Sequence, residues 1–222
     1  MNRVLSTKIL PTNLRQMLLN AGLSIVEANF IETHPVTFTM PAPTDLLLFT
    51  SQNAVGSVIR HPESHSLKAT KTMCVGIKTK ALLEENGFIV IESEDYADEL
   101  AKRIVAKYSE RSVAFFSGNL RRDTLPDALT SAGISFTETV VYETLLTPQK
   151  ISAQPNGILF FSPSGVESFL KYNEITTETC FCIGTTTADA LSGITKNIII
   201  ANRPTVENTI IQCINHYKTS QS

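Results

Sequence analysis

The sequence predicts an α/β protein with two flavodoxin-like parallel-sheet domains that arose by internal duplication. Short apolar runs alternate with segments of helical spacing, which is typical of parallel strands joined by crossover helices. The second half of the chain repeats the first half, and the 222 residues, 42% of them apolar, can bury one large core or two small ones. Two copies of one unit account for both observations.

The repeat is visible when the chain is aligned with itself. At an offset of 111 residues, segment 3–33 aligns with segment 114–144, and nine positions coincide where chance would supply roughly two. The coincident pairs are Ser6/Ser117, Leu14/Leu125, Leu18/Leu129, Ala21/Ala132, Gly22/Gly133, Ser24/Ser135, Glu27/Glu138, Glu32/Glu143 and Thr33/Thr144. The same offset aligns segment 49–51 with 160–162, and a slightly shorter offset aligns 75–79 with 183–187. These matches predict the duplication.

The predicted elements follow from these patterns. Leu14, Leu18 and the pair Ala21-Gly22 predict a helix that ends at a glycine, and the repeat predicts a second such helix ending at Gly133. Apolar runs predict strands at Leu46–Phe49, Thr72–Val75, Ile89–Ile91, Val113–Phe116, Ile158–Phe161, Phe181–Ile183 and Ile198–Ile200.

Charge and hydropathy argue against nucleic acids and membranes as partners. The net charge is −2 and no basic run occurs, which argues against nucleic-acid binding. No apolar run approaches the roughly 20 residues that cross a bilayer, and the first residues lack the apolar core of a signal peptide. We therefore expect a cytoplasmic protein with no membrane or nucleic-acid partner. We also expect a monomer.

The cysteines and histidines do not predict a metal site. Cys180 and Cys182 lie in an apolar run, and Cys74 and Cys213 lack the pair spacing of zinc or thioredoxin sites, so we expect buried free thiols. Segment 61–65 has a histidine at each end, but it is polar, contains a proline and has no further ligands nearby. The sequence favours a solvated loop there.

Four turns rich in small and hydroxyl residues follow predicted strands. Because the carboxyl ends of parallel strands meet at one edge of a sheet, these turns predict a binding edge where backbone N–H groups and hydroxyls are available to an anion. The candidates in these four turns are Ser51, Asn53, Ser117, Gly118, Asn119, Ser162, Ser164, Gly165, Thr185, Thr186 and Thr187. Thr7, which follows the first strand, is a further candidate. Each hydroxyl or amide is also an ordinary helix cap, so capping alone is the alternative for any single turn.

Three cations lie in or beside these turns. Lys8, Lys78 and Arg122 would add full positive charge to an anion site, and a solvated surface role is the alternative for each. No glycine-rich phosphate loop, dinucleotide fingerprint or nucleophile elbow occurs, so nucleotide binding and nucleophilic hydrolysis have little support. The ligand class that fits is a carboxylate or phosphate.

Taken together, these segments resemble the uroporphyrinogen-III synthase family, nearly end to end. The resemblance rests on Phe49-Thr50-Ser51-Gln52-Asn53-Ala54-Val55, the spacing Gly118, Arg122, Leu125, Leu129 and Gly133, Val140-Val141-Tyr142-Glu143-Thr144, Phe161-Ser162-Pro163-Ser164-Gly165-Val166, and Ile183-Gly184-Thr185-Thr186-Thr187-Ala188. Each segment is weakly specific, whereas their order and spacing together are more so.

This resemblance implies an enzyme without a cofactor that closes the linear tetrapyrrole hydroxymethylbilane to uroporphyrinogen III, with inversion of the last ring and loss of water. The substrate's acetate and propionate carboxylates suit a cleft of helix N-termini and hydroxyls. Tyr142, which matches the tyrosine of the family's linker motif, is implied as the group that hydrogen-bonds or protonates the departing hydroxyl. A purely packed tyrosine is the alternative.

The family architecture implies two domains, the first discontinuous. Residues 1–34 with 147–222 would form the first domain and 38–143 the second, joined by linkers at 30–37 and 140–146. The chain departs from the family where Lys8 follows Thr7 and the proline is delayed to Pro11, and Lys78 occupies a turn that is often uncharged. Two rival functions stay open: a noncatalytic clamp for a polycarboxylate metabolite, and a phosphoryl-handling flavodoxin relative.

Overall fold

The computed structural model describes residues 1–219, in which strands and helices alternate. The strands, in chain order, are β1 (Arg3–Ser6), β2 (Ser24–Glu27), β3 (Ile31–Pro35), β4 (Leu46–Phe49), β5 (Lys71–Val75), β6 (Ile89–Glu94), β7 (Val113–Gly118), β8 (Phe136–Leu146), β9 (Gly157–Phe160), β10 (Thr179–Cys182) and β11 (Ile198–Ile200). The α-helices are α1 (Thr12–Asn20), α2 (Gln52–Ile59), α3 (Ile77–Glu85), α4 (Ala97–Lys107), α5 (Thr124–Ser131), α6 (Pro163–Leu170), α7 (Thr185–Asp189) and α8 (Val206–Thr219).

The chain divides into two compact units. The first comprises Met1–Glu32 together with the chain from Leu145 onward, and the second comprises Thr33–Thr144. The segments predicted as linkers contain strand residues, because β3 covers most of 30–37 and β8 runs through 140–146. The predicted end of the first domain, residues 220–222, lies outside the described residues.

The first unit contains a five-stranded sheet in the order β11-β10-β9-β1-β2, and its strand pairs are parallel. Numbered along this unit alone, the order is 2-1-3-4-5, that of flavodoxin-like sheets. Helices cover both faces, where buried apolar side chains form two clusters, one around Leu159 and Phe181 and the other around Phe160 and Leu191. The predicted α/β class with parallel sheets is confirmed.

The second unit contains a six-stranded sheet in the order β3-β8-β7-β4-β5-β6. The strand pairs from β8 through to β6 are parallel. Without β3, the strand order is the same flavodoxin-like order as in the first unit, and β7 and β8 occupy the positions that β1 and β2 have there. All four residues of β4 are buried, since both faces of the sheet are covered. Two copies of one unit would show this common order, and the duplication itself stays a prediction.

Every predicted strand is present, with small shifts at the ends. β7 continues two residues beyond Phe116, and β6 continues to Glu94. The two predicted helices are α1 and α5, each followed by a glycine with positive φ, Gly22 at 78° and Gly133 at 69°. Positive φ carries no steric cost at glycine, which explains why these helices end there.

The prediction for residues 61–65 was wrong in structure, because a 3₁₀-helix, Pro62–Leu67, replaces the solvated loop. Pro62 stands at its first turn, where a missing N–H group costs nothing. The Nδ1 atom of His61 accepts a hydrogen bond from the Glu63 N–H group at 3.2 Å, and the centre of the His61 ring lies 4.8 Å from that of the Phe38 ring, with the ring planes tilted by 35°. His61 therefore caps the 3₁₀-helix and packs against Phe38.

The prediction of buried free thiols is confirmed. Cys74, Cys180, Cys182 and Cys213 are free and buried. Burial raises the pKa of Cys180, Cys182 and Cys213 to about 12 each, and that of Cys74 above its ordinary value. Within residues 1–219, no helix is long and apolar enough to cross a membrane.

Candidate functional site

In the second unit, the candidate site lies at the carboxyl ends of β4 and β7. These neighbouring strands are paired in parallel, and the chain leaves them toward helices α2 and α5. In an open parallel sheet, such a pair marks the crevice where ligands bind. Three of the predicted site residues, Ser51, Gly118 and Asn119, stand at this edge.

Ser51 connects a helix to the tyrosine of the site. Its Oγ atom accepts a hydrogen bond from the Ala54 N–H group at 3.1 Å, which caps the N-terminus of α2. The same hydroxyl donates to the Tyr142 phenolic oxygen at 3.1 Å. Asn53 is exposed in the first turn of α2. The structure therefore brings Ser51 and Tyr142 together, although they are 91 residues apart.

Gly118 lies against the Tyr142 ring. The two residues are register partners of β7 and β8, where the register shifts after Ser117. A Cβ atom added at Gly118 would lie 2.6 Å from the Tyr142 Cε2 atom and 2.7 Å from its phenolic oxygen, distances that real Cβ atoms do not show. Glycine is required here because of close approach, since its φ is not positive.

Ser117 belongs to a charged network beneath this edge. Its hydroxyl donates to Glu138 Oε1 at 2.6 Å, and Arg121 donates to the two oxygens of the same carboxylate at 2.7 and 2.8 Å. Arg121 also pairs with Asp123. Hydrogen bonds from Arg121, and less strongly from Ser117, hold the pKa of Glu138 below its usual value despite burial. The fully buried Ser117 side chain thus has an internal role.

Asn119 holds the turn after β7 onto β8. Its side-chain oxygen accepts from the Thr144 N–H group at 2.7 Å, and its amide donates to the Thr144 carbonyl at 3.3 Å. Its backbone N–H group donates to the Tyr142 carbonyl at 3.3 Å. Arg122 is exposed on the same turn, and Lys78 is exposed in the first turn of α3 beyond β5.

In the first unit, the corresponding edge follows β1 and β9. The Thr7 hydroxyl donates to the Leu159 carbonyl at 2.8 Å and is buried, so it extends the contact between the two strands. The Ser6 hydroxyl donates to the Lys8 carbonyl at 2.5 Å. The ammonium group of Lys8 lies over the Phe161 ring, 5.9 Å from its centre. Thr7 therefore supports the turn internally, and Lys8 lies at its rim.

Ser162 caps α6 after β9. Its Oγ atom accepts from the Gly165 N–H group at 3.0 Å and lies 3.1 Å from the Ser164 Oγ atom. Ser164 is half-buried and Gly165 is buried, close to the Thr7 hydroxyl. The three predicted residues of this turn are thus clustered, and two of their hydroxyls interact.

The turn after β10 presents three threonines in sequence. Thr185 is exposed, Thr186 is half-buried, and Thr187 is 1% exposed. The Thr187 hydroxyl is buried without a hydrogen-bond partner among the described residues. A buried hydroxyl without a hydrogen-bond partner costs free energy, so the Thr187 hydroxyl is an exception that calls for an explanation.

Two carboxylates that hold the turns after β1 and β7 were not among the predicted site residues. Glu138 binds Ser117 and Arg121, while in the first unit Glu27 accepts from the Leu10 N–H group at 2.7 Å and pairs with Arg15. The repeat contained the signal, because Glu27 and Glu138 coincide at the offset of 111, as do Ser6 and Ser117.

Comparisons with known proteins agree on one family. Residues 13–211 match the family described as Uroporphyrinogen-III synthase HemD. A curated relative, the uroporphyrinogen-III synthase of Chlorobaculum parvum, is 28% identical over 205 residues, covering 80% of this chain and 83% of the relative.

Two solved structures have the same fold. A crystal structure of uroporphyrinogen-III synthetase from Helicobacter pylori aligns with a TM-score of 0.72 and 22% identity, covering 97% of this chain and all of the other. A mutant uroporphyrinogen III synthase from Thermus thermophilus aligns with a TM-score of 0.71 and 16% identity, covering 99% of this chain and all of the other. Because the family match extends over most of its length, this chain belongs to the uroporphyrinogen-III synthase family.

Proposed function

We propose that this chain cyclises hydroxymethylbilane to uroporphyrinogen III, inverting the last ring and releasing water. Family membership over residues 13–211 supports the activity. The observation in the structure that carries the proposal is the Tyr142 hydroxyl, held by Ser51 at the carboxyl ends of β4 and β7. A tyrosine hydroxyl at this edge can meet the reacting end of a substrate whose carboxylates bind the surrounding turns.

Within each unit, donors at the carboxyl edge of its sheet are available to hold substrate carboxylates. Among the predicted residues, those with exposed or half-buried side chains are assigned the direct contacts: Lys8, Asn53, Lys78, Arg122, Ser162, Ser164, Thr185 and Thr186. Helix N-termini favour negative groups, and the cations add full charge. Thr187, whose buried hydroxyl has no hydrogen-bond partner within residues 1–219, is the remaining donor assigned to substrate.

Five other predicted residues are assigned supporting roles in the proposal. The hydroxyls of Thr7 and Ser117 are hydrogen-bonded inside the protein, and the Asn119 side chain is bonded to the backbone of Thr144. Gly118 makes room for the Tyr142 ring, and Gly165 places its N–H group on Ser162. These residues fix the turns on which the direct contacts stand.

The reaction begins when the hydroxymethyl C–O bond breaks. The oxygen leaves as water after taking a proton, and the electron pair of the terminal pyrrole nitrogen stabilises the carbon as an azafulvene. Tyr142 is assigned the hydrogen bond or proton to the departing oxygen. Attack by the substituted carbon of the last ring then forms a spiro intermediate, which rearranges to the inverted macrocycle.

Control of conformation supplies the specificity. Uncatalysed closure joins the unsubstituted carbon of the last ring and gives the uninverted isomer, so the enzyme must hold the chain in the other orientation. No step transfers electrons to or from an external reagent, so the scheme needs no redox cofactor. The predicted lack of a cofactor, the monomeric state and the cytoplasmic location stay predictions.

Analysis of product isomers tests the proposal. Freshly generated hydroxymethylbilane is added to the purified protein, the products are oxidised, and the type I and type III uroporphyrins are separated. We expect predominantly type III. Type I alone, formed at the rate seen without protein by a demonstrably folded sample, would overturn the proposal and favour a noncatalytic polycarboxylate clamp.

A further inference from the structure

The Ser51 hydroxyl lies between a helix N-terminus and the Tyr142 hydroxyl. It accepts from the Ala54 N–H group at 3.1 Å and donates to the phenolic oxygen of Tyr142 at 3.1 Å. Ser51 and Tyr142 are both half-buried and both belong to the second unit. The three groups form a chain of hydrogen bonds that runs in one direction, from Ala54 to Tyr142.

The direction of this chain determines where the Tyr142 proton can go. A serine hydroxyl carries one proton, and in Ser51 that proton is given to Tyr142. A phenol that accepts from Ser51 keeps its own proton for a different acceptor. The N–H groups at the start of α2 also polarise the Ser51 hydroxyl, because donation to an oxygen strengthens the hydrogen bond that the oxygen's own proton makes.

We infer that Ser51 is a positioning residue that acts through Tyr142, fixing the phenol so that its proton points toward the departing substrate oxygen. This inference deepens the proposed function and depends on it. It assigns Ser51 a role in the chemical step, in place of direct binding of a substrate carboxylate. Both hydrogen-bonding directions of the Ser51 hydroxyl are accounted for by Ala54 and Tyr142.

Helix capping alone does not explain the contact. Ser162, which corresponds to Ser51 at the offset of 111, caps α6 with the same geometry, at 3.0 Å from the Gly165 N–H group. Its second contact is the Ser164 hydroxyl at 3.1 Å, and within residues 1–219 no hydrogen bond joins Ser162 to a tyrosine. The link from cap to tyrosine is therefore specific to Ser51, and it requires Gly118, beside which the Tyr142 ring lies.

A double-mutant cycle tests the inference. The wild type, Ser51→Ala, Tyr142→Phe and the double variant are assayed for type III product from hydroxymethylbilane. We expect Ser51→Ala to lower kcat by about 10-fold with little change in KM, since it affects the group that acts in the transition state. In the Tyr142→Phe background, the same change should have almost no further effect on kcat.

Two conservative variants separate the roles of the Ser51 hydroxyl. Ser51→Thr keeps both hydrogen bonds and should restore near-normal kcat. Ser51→Asp still accepts from the Ala54 N–H group, but it has no proton to donate at neutral pH and would accept the Tyr142 proton instead, so kcat should stay low. Gln52→Asp, which adds the same charge at an exposed residue of the same turn with no assigned substrate contact, measures how much of any change in KM in Ser51→Asp is due to charge alone.

The outcomes distinguish this inference from the proposed function. Failure of the wild type to form type III product overturns the proposed function, and the inference with it. If the wild type is active, equal effects of Ser51→Ala in both backgrounds, or an effect confined to KM, overturn the inference alone.

Circular dichroism and thermal unfolding check that the variants fold, and Ser162→Ala is the comparison for the loss of a helix cap. If Ser51→Ala does not fold, the inference is tested by comparing kcat of Ser51→Thr with kcat of Ser51→Asp. A higher kcat for Ser51→Thr supports the inference, and equal kcat values contradict it.

Discussion

Gly118 and Tyr142 lie so close together that a single added methyl group at Gly118 would lie 2.7 Å from the phenolic oxygen. We expect Gly118→Ala to displace the Tyr142 ring, to lower activity by at least about 10-fold and to destabilise the protein by about 1–3 kcal/mol through overpacking. Type III formation and thermal unfolding measure the two effects.

A second glycine of the same unit is the matched control. A Cβ atom at Gly56, within α2, would lie 3.8 Å from the nearest atom of Arg60, an ordinary contact. Gly56→Ala should leave activity unchanged and raise the free energy of unfolding by about 0.5–1 kcal/mol, because alanine favours helix. Unchanged activity and stability in Gly118→Ala would show that Tyr142 does not depend on this close contact.

Glu138 gives a pH-dependent prediction. Its pKa is lowered in the folded protein, chiefly by hydrogen bonds from Arg121, so the ionised form contributes stability above the unfolded-state value of 4.5. This contribution is lost as the pH falls from 4.5 through the lower folded-state pKa. We expect Glu138→Gln to destabilise the protein by about 2 kcal/mol at pH 7, and the difference from wild type to shrink below pH 4.5.

Urea unfolding of both proteins at several pH values measures this difference. Glu85→Gln, a change at an exposed glutamate of α3, is the control for loss of one negative charge. A difference between wild type and Glu138→Gln that stays constant from pH 7 to well below 4.5 would contradict the assigned role of the carboxylate.

The four cysteines should be unreactive in the folded protein. They are buried, and burial raises the pKa of Cys180, Cys182 and Cys213 to about 12, so the thiolate that reacts with alkylating reagents is scarce at pH 8. We expect iodoacetamide to modify none of them under native conditions and all four in urea, as measured by intact mass. Rapid modification of the native protein would contradict the burial.

Substitution of Thr187 by valine should lower activity without lowering the free energy of unfolding. Its hydroxyl is buried without a partner among the described residues, so Thr187→Val should leave the free energy of unfolding unchanged or raise it by about 1 kcal/mol. The same change should lower type III formation, because the proposed contact with substrate is lost. Thr72→Val is the comparison, since the buried Thr72 hydroxyl donates to the Thr70 carbonyl at 3.2 Å. Lower stability with unchanged activity in Thr187→Val would contradict its assignment as a substrate donor.

The strands could be predicted from sequence because both faces of each sheet are covered, which makes buried strands such as Leu46–Phe49 continuous apolar runs. The 3₁₀-helix at Pro62–Leu67 could not, since its residues are polar and its start depends on a histidine cap. A 3₁₀-helix of only six residues is too short to leave a recognisable hydrophobic period in the sequence.

The site was predicted only in part, because position at a strand end does not determine side-chain depth. Ser117 was expected at an open turn. Because β7 extends to Gly118, Ser117 lies within the strand, and its hydroxyl is buried against Glu138. That pair joins residues 21 positions apart on different strands, a contact that only folding defines. Which exposed turns contact the substrate stays a prediction.

The measurement that tests the central claim most directly is the number of type III molecules formed per molecule of protein. The protein is mixed with a large molar excess of hydroxymethylbilane, and the oxidised isomers are counted over time. We predict that type III product exceeds the protein many-fold, with type I held to a minor fraction. Product consisting of type I alone, at the rate of spontaneous closure in the presence of folded protein, would contradict the account.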